Sequence, residues 1–207
     1  MKLSAYIITV DAGFSPNPFG RYCTLACCKP TIRRKAEVGD IIVATASARF
    51  PKPGHLVCAM KVKSVLPYQE YWRSPKFAPR KPSQKTAISR RGDNIWRCEK
   101  GRWKVVANAF HDESQRDRDT SGENVLIATE FYYFGRAAVS VPTRFRSLLA
   151  TTQGHKNTFD SNSIIRFWNW VESKAPKRGR IADPFDFTDA ACVAQCHEIE
   201  EEDVEEA

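Results

Sequence analysis

The sequence predicts a single α+β domain, with a mixed or antiparallel sheet or a small barrel, and flanking helices. Three observations favour this class: short apolar runs that alternate, one amphipathic helical segment, and the lack of an internal repeat or linker. With 207 residues and 42% hydrophobic composition, the chain can bury one substantial core. We expect the domain to span residues 1–190 and an acidic, disordered tail to follow at 191–207.

The first predicted strand opens the chain. Leu3, Ala5 and Ile7 occupy alternate positions, so they should share one face of a sheet. The strand should end at Asp11, because the glycine and two prolines of DAGFSPNPF at 11–19 cannot continue it. Polar groups on loops beside a rigid sheet are common sites of binding and chemistry.

Further strands are predicted from apolar runs bounded by glycine and proline. They cover residues 41–44, 56–63, 125–134 and 137–141, and the first two of these should pair as a meander across the loop at 51–54. A short helix should begin at Tyr68. A longer one is predicted over 161–173, capped by Asp160 or Ser161, where the apolar residues at helical spacing are Ile164, Ile165, Trp168 and Val171.

Residues 73–104 form a basic segment with eleven Lys or Arg against two acidic residues. Three prolines in its first half predict an extended loop, and its second half predicts a hairpin with a turn near Lys100 and Gly101. The hydrophilic stretch 112–124 is predicted to be a mobile loop.

The net charge of +8 understates the basicity of the folded part, because Glu198–Glu206 carries seven acids and no base. Such a tail could stay solvated, fold back onto a basic groove, or dock a protein partner. No apolar run reaches the roughly 18 residues that a membrane span needs, and the N-terminus does not resemble a signal peptide. We therefore expect a cytoplasmic protein with no membrane partner.

Seven cysteines without a regular framework fit a reducing compartment. Cys23, Cys27 and Cys28 lie close together in sequence, as do Cys192, Cys196 and His197. Neither group has the spacing of a zinc knuckle, so we expect buried structural thiols, no metal and no cofactor. A metal site and a reactive thiol are the alternatives.

Five segments carry a resemblance to a known family: DAGFSPNPF at 11–19, CTLACCKPTIRR at 23–34, VGD at 38–40, RRGDNIW at 90–96 and VLIATEFYYFG at 125–135. On these the chain resembles the bacterial and phage nucleotide modification associated domain proteins of the second-numbered family, over most of residues 3–185. The resemblance implies a role in making or recognising altered nucleotides, in a DNA modification or phage-defence context. The architecture is also similar to PUA-like folds such as the ASCH and EVE domains, which bind RNA or modified bases in a cleft.

The first functional hypothesis is therefore binding of nucleic acid or of a modified nucleotide. The candidate nucleotide-binding residues are Asp11, Asn17, Thr24, Lys29, Arg33, Asp93 and Asn94. The candidate contacts to a nucleic-acid backbone are Arg73, Lys76, Arg80, Lys81, Lys85, Arg90 and Arg91. Trp72, Trp96 and Trp103 are the candidate base-stacking residues, although the two last could instead pair across the hairpin and be buried.

Two other hypotheses stay open. The chain could be an enzyme acting on a nucleotide or base, with Asp11 and Asp93 as acid and base, although no recognised catalytic motif is present. A catalytic thiol would need a histidine beside it, and the four scattered histidines predict no such pair. The catalytic residues are thus not predicted. The third hypothesis is a protein-interaction component of a defence system.

Overall fold

The structure, a computed structural model, describes residues 1–106, 108–152 and 154–187. The predictions for the acidic tail, and for the group Cys192, Cys196 and His197, lie outside these ranges. Within them the chain forms eleven strands and six α-helices, which confirms the α+β class.

The strands form three sheets. Their bounds are β1 Leu3–Ile8, β2 Cys23–Leu25, β3 Ile41–Ala46, β4 Leu56–Lys61, β5 Ser64–Pro67, β6 Trp96–Glu99, β7 Arg102–Val105, β8 Asn124–Ala128, β9 Glu130–Tyr133, β10 His155–Thr158 and β11 Gly179–Arg180. The main sheet has six strands in the order β10-β1-β3-β4-β9-β11. In it β1 pairs with β3, and β9 with β11, in parallel, whereas the other neighbours are antiparallel. A second sheet has the order β2-β8-β5, and β6-β7 is a separate hairpin.

The helices are short except for the last. Their bounds are α1 Pro30–Lys35, α2 Tyr68–Arg73, α3 Ala87–Arg90, α4 Arg116–Thr120, α5 Thr143–Arg146 and α6 Ser161–Glu172, with 3-10 turns at Pro75–Arg80, Glu113–Gln115 and Gly135–Ala137. Asp160 caps α6, since its side chain accepts a hydrogen bond from the Asn162 backbone N–H, as predicted. No helix in these ranges is long and apolar enough to cross a membrane.

The alternation in β1 places two different cores on the two faces of the main sheet. Leu3 and Ala5 pack in a cluster with α6, whereas Tyr6 and Ile8 pack in a cluster with β2 and β8. A third cluster, rich in aromatic rings, lies between the second sheet, α2 and the β6-β7 hairpin. This third cluster supports the candidate site described below.

The mixed sheet and the β3-β4 meander confirm the sequence predictions, and so does the hairpin turn at Lys100 and Gly101. The described sheets do not close into a barrel. The similarity to PUA-like folds stays a prediction.

Five local predictions were wrong. The run 125–134 is two strands in different sheets. Residues 137–141 follow the 3-10 turn at Gly135–Ala137 and form a single bridge at Val139 instead of a strand. The first half of the basic segment folds into short helical turns, and 112–124 contains α4 instead of an irregular loop. In α6, Ile165 is 48% exposed, because Trp170 takes a place on the buried face.

Candidate thiol site

Cys28 lies at a tight turn between β2 and α1. Cys28 and Lys29 both have a positive φ, of 57° and 43°, which residues other than glycine rarely adopt. The buried Arg33 holds this turn, because its Nε donates to the Cys28 carbonyl oxygen at 2.7 Å. The same guanidinium donates to the carbonyl oxygens of Asp119 (2.6 Å) and Asn124 (2.8 Å). Arg33 therefore fixes the Cys28 turn against α4 and the start of β8.

His111 joins the thiol of Cys28 to the carboxylate of Asp119. The Cys28 Sγ lies 3.5 Å from His111 Nε2, and His111 Nδ1 lies 2.6 Å from Asp119 Oδ2. This is the order of nucleophile, base and orienting carboxylate that activates catalytic thiols. Cys28 is a half-buried residue, whereas His111 and Asp119 are buried, so Cys28 is the most exposed of the three.

The carboxylate of Asp119 is fixed from two more directions. Its Oδ1 accepts the Cys28 backbone N–H at 2.8 Å, and its Oδ2 accepts the Trp96 indole N–H at 3.0 Å. Trp96 is fully buried and supports Asp119. Its ring therefore has no exposed face for the base stacking that the sequence predicted. Close packing beneath this group also requires Gly122, because a Cβ there would lie 2.4 Å from the Arg33 guanidinium carbon.

The loop before α4 places the imidazole. Asn108 Oδ1 accepts the backbone N–H groups of Phe110 and His111, each at 2.8 Å, which closes the turn that carries His111. The ring of Phe14 lies 4.9 Å from the imidazole and covers it. The side chain of His111 therefore has a defined position and orientation.

The charges of this group shift three pKa values. Burial raises the pKa of the Cys28 thiol, but the charge of His111, their hydrogen bond and the charge of Arg118 outweigh it, and this pKa lies below its ordinary value of 9.0. Burial lowers the pKa of His111, but Cys28 and Asp119 outweigh burial and raise it well above 6.5. Burial likewise opposes ionisation of Asp119, yet His111 and Arg33 hold that pKa well below its usual range. Both shifts act toward a thiolate beside an imidazolium, compared with an isolated thiol and imidazole.

Cys27 offers a second sulfur next to this group. One ligand atom each from Cys27, His111 and Asp119 lies within 4.8 Å of the others, so these three residues could hold a metal ion. Two ligands of one tetrahedral zinc ion stand about 3.3 Å apart. The 2.6 Å contact between His111 and Asp119 is shorter and has the length of a hydrogen bond. The geometry thus favours a hydrogen-bonded triad over a metal site.

Three of the seven residues predicted to bind a nucleotide, Thr24, Asp93 and Asn94, meet in a buried network. Asp93 accepts hydrogen bonds from the hydroxyls of Thr24 and of Tyr71 (2.8 Å), and Arg80 Nη1 lies 3.7 Å from its Oδ1. The Asn94 side chain donates to the carbonyl oxygen of Tyr71 at 3.1 Å. Burial raises the pKa of Asp93, although Arg80 and the two hydroxyls oppose this.

Of the other predicted residues, Asn17 lies beside this network, whereas Arg33 holds the Cys28 turn and Asp11 and Lys29 lie elsewhere. Asn17 bonds to the Arg91 carbonyl oxygen at 2.7 Å, and its backbone bridges to Thr24. Asp11 belongs to a separate group. Its backbone N–H donates to the carboxylate of Asp186 at 2.8 Å, although the two residues are 175 positions apart in sequence. Lys29 Nζ lies 5.2 Å from the Tyr6 ring. Each of these polar side chains has a partner inside the protein, and a direct role in binding a nucleotide stays a prediction.

The predicted backbone contacts divide into two sets. Arg80 and Arg91 are buried and donate to carbonyl oxygens, Arg80 to Phe19 and Arg91 to Ala12, each at 2.7 Å. Arg73, Lys76 and Lys85 are exposed, while Lys81 and Arg90 are partly buried. Trp72 lies between two cations, with Lys81 Nζ at 3.8 Å and the Arg97 guanidinium at 4.8 Å from its ring. Trp103 is half-buried and packs edge-on against Tyr68.

His111 and Asp119 were not predicted as site residues from the sequence. His111 is 83 residues from Cys28 and Asp119 is 91, so no local spacing brings them together. The one available signal was the CCKP turn, where two cysteines stand between a strand and a helix that begins with proline.

Comparison with known proteins gives the family. No curated protein and no solved structure matches the chain. The family model described as nucleotide modification associated domain 2 matches residues 1–191, which includes the Cys28 turn, His111 and Asp119. The chain therefore belongs to the nucleotide modification associated domain 2 family.

Proposed function

We propose that this protein is a thiol-dependent enzyme of nucleotide modification, with Cys28 as the nucleophile. The observation that carries the proposal is the chain of contacts from the Cys28 sulfur through His111 to Asp119, at 3.5 and 2.6 Å. His111 is the general acid and base, and Asp119 orients its ring. Membership of the family supports a nucleotide, or a group attached to one, as the substrate.

The arrangement suits transfer or hydrolysis at an acyl carbon. The Cys28 thiolate attacks the carbonyl carbon, and the C–S bond forms as the π electrons move to oxygen. The carbonyl then re-forms, the bond to the leaving group breaks, and His111 Nε2 gives its proton to that group. Water next gives a proton to Nε2 and attacks the thioester, which releases the acid and restores the thiolate. An amine or hydroxyl in place of water gives acyl transfer.

Acylation by p-nitrophenyl acetate tests the nucleophile without knowledge of the natural substrate. The full chain should release a burst of one p-nitrophenolate per protein and carry an acetyl group on Cys28, detected by mass spectrometry. Cys28→Ala should abolish the burst. His111→Gln should slow it and should move the pH midpoint of Cys28 alkylation by iodoacetamide upward, because the charge and the hydrogen bond of His111, which lower the thiol pKa, are then lost.

Cys98→Ser is the matched control, since Cys98 is also half-buried but lies on β6, outside the triad. It should keep the full burst. A burst that survives Cys28→Ala, or an alkylation rate at Cys28 no faster than at Cys98, would contradict the proposal. Stoichiometric zinc that is lost in His111→Gln would favour the metal site instead.

A second candidate function, binding of a nucleic-acid strand, is favoured by the surface around Trp72. The exposed cations Arg73, Lys76 and Lys85 lie in the same segment as Trp72 and its two cation partners. Positive charges neutralise phosphates, and an aromatic ring gives a base a face to stack on.

A further inference from the structure

A large cleft opens at the carboxyl ends of β1 and β3. Because these strands run in parallel, Ile8 and Ala46 end at the same edge of the main sheet. The cleft has a volume of about 930 Å³, and its floor includes the apolar side chains of Ile7, Val141 and Leu149. Crevices at the carboxyl ends of parallel strands are frequent ligand sites, and this volume suits a small molecule.

This cleft is separate from the thiol site. Ile7 packs with the cluster on the α6 side of the main sheet. The neighbouring residue Tyr6 faces the opposite side, where its ring lies 5.2 Å from Lys29 Nζ. None of the residues that line the cleft belongs to the triad or its supporting network. A ligand in the cleft would therefore occupy a second site.

The charges of the cleft favour an anion. Arg49 and Arg146 line it, and no acidic residue does. Both arginines are exposed at the rim. The Arg146 Nε donates to the Val141 carbonyl oxygen at 3.5 Å, and neither arginine makes an ion pair with any residue that the structure describes. The lining also includes the hydroxyl groups of Thr9, Ser47, Ser140, Thr151 and Thr152.

We propose that this cleft binds a mononucleotide. The two arginines would bind the phosphate, since guanidinium groups match phosphate oxygens in a bidentate way. The apolar floor would contact the base, and the threonine hydroxyls would contact the sugar or phosphate. A volume of about 930 Å³ has room for one nucleotide. The proposal does not depend on the chemistry of Cys28.

Calorimetric titration of the full chain at physiological ionic strength tests this site. The probes are dAMP, dCMP, dGMP and dTMP, the four matching deoxynucleosides, and inorganic phosphate. We expect saturable binding of at least one mononucleotide at one site per chain. Arg49→Gln and Arg146→Gln should each weaken it by about tenfold or more, because each removes a charged hydrogen-bond donor.

Arg144→Gln is the matched control: Arg144 is an exposed arginine on the same helix as Arg146 but does not line the cleft. It should bind as tightly as the unaltered chain. Equal affinity for the nucleoside or for inorganic phosphate would overturn the proposal. So would the lack of mononucleotide binding, including the case in which only an oligonucleotide binds.

Discussion

At the scale of single residues, Asp11 places a carboxyl group inside the protein just beyond β1. It is 1% exposed, and it accepts hydrogen bonds from the Tyr133 hydroxyl and from the Phe185 backbone N–H. Burial raises the pKa of Asp11 to about 6, although the two donors oppose this shift. The folded state therefore holds this proton more tightly than the unfolded chain, whose value is near 3.8.

This difference predicts a specific dependence of stability on pH. The contribution of Asp11 is fully present below about pH 4 and is lost as the pH rises to about 6, because the folded state must then ionise a buried group. The loss amounts to about 3 kcal/mol in the free energy of unfolding. Urea unfolding across this pH range should show that Asp11→Asn removes this part of the slope.

Glu37→Gln is the control for Asp11→Asn, since it removes an exposed carboxyl group. It should keep the slope of the unaltered chain. An identical pH dependence in the unaltered chain and in Asp11→Asn would show that Asp11 does not titrate in this range. The test depends on the slope, so an overall loss of stability from the amide does not affect it.

Residue identities in the site were only partly predictable. Asp11, Thr24, Asp93 and Asn94 were selected because they lie on loops beside strands, and the structure places all four in buried polar networks. Asp119 was not selected, because in sequence it looks like one charge in a solvated run. Its burial depends on contacts with residues far away in the chain, and such contacts leave no local pattern.

At the scale of elements, the last described segment packs across the end of the main sheet. Residues 183–187 lie beside the 3-10 turn at Gly135–Ala137, where Arg136 donates to the Pro184 carbonyl oxygen at 3.0 Å. Gly135 has a φ of 48°, and a Cβ there would lie 2.2 Å from the Asp183 carbonyl oxygen. The close approach of these two backbones therefore requires glycine.

Gly135→Ala should destabilise the fold by more than the cost of its backbone angle. Gly54→Ala is the control, because Gly54 also has a positive φ, of 69°, but has no atom within 4 Å of a Cβ. We expect about 1 kcal/mol for Gly54→Ala and about 1–3 kcal/mol more for Gly135→Ala in thermal or urea unfolding. Equal losses would show that the 183–187 segment moves away without cost.

Elements were predictable where one local pattern decides them. The alternation of β1, the Gly-containing turn of the β6-β7 hairpin and the capped α6 were all predicted from local sequence. The run 125–134 was wrongly predicted as one strand, because β8 and β9 are both mostly buried. The apolar pattern therefore continues across the point where the chain passes from one sheet to the other. The parallel pairing of β1 with β3 joins distant segments and could not be deduced.

At the scale of the whole molecule, the fold separates three surfaces with different chemistry. Cys28 packs against the cluster between the second sheet, α2 and the β6-β7 hairpin, the cleft opens at the carboxyl ends of β1 and β3, and the exposed cations around Trp72 begin at the end of α2. Composition predicted the basic character of this region, with eleven basic residues in 73–104. It could not show that Arg80 and Arg91 support the fold from inside, which leaves fewer cations for a ligand.

Binding of a nucleic-acid strand to the Trp72 region should therefore depend on salt through the exposed cations. The triple variant Arg73→Gln, Lys76→Gln and Lys85→Gln should reduce the slope of log K against log salt concentration by about 2 to 3, because each phosphate contact releases counterions. Fluorescence anisotropy of a labelled single-stranded oligonucleotide measures this slope. Lys52→Gln, Lys156→Gln and Lys174→Gln change three exposed lysines outside the segment and give the same net charge. If both triple variants lower the slope equally, binding depends on total charge and not on this surface.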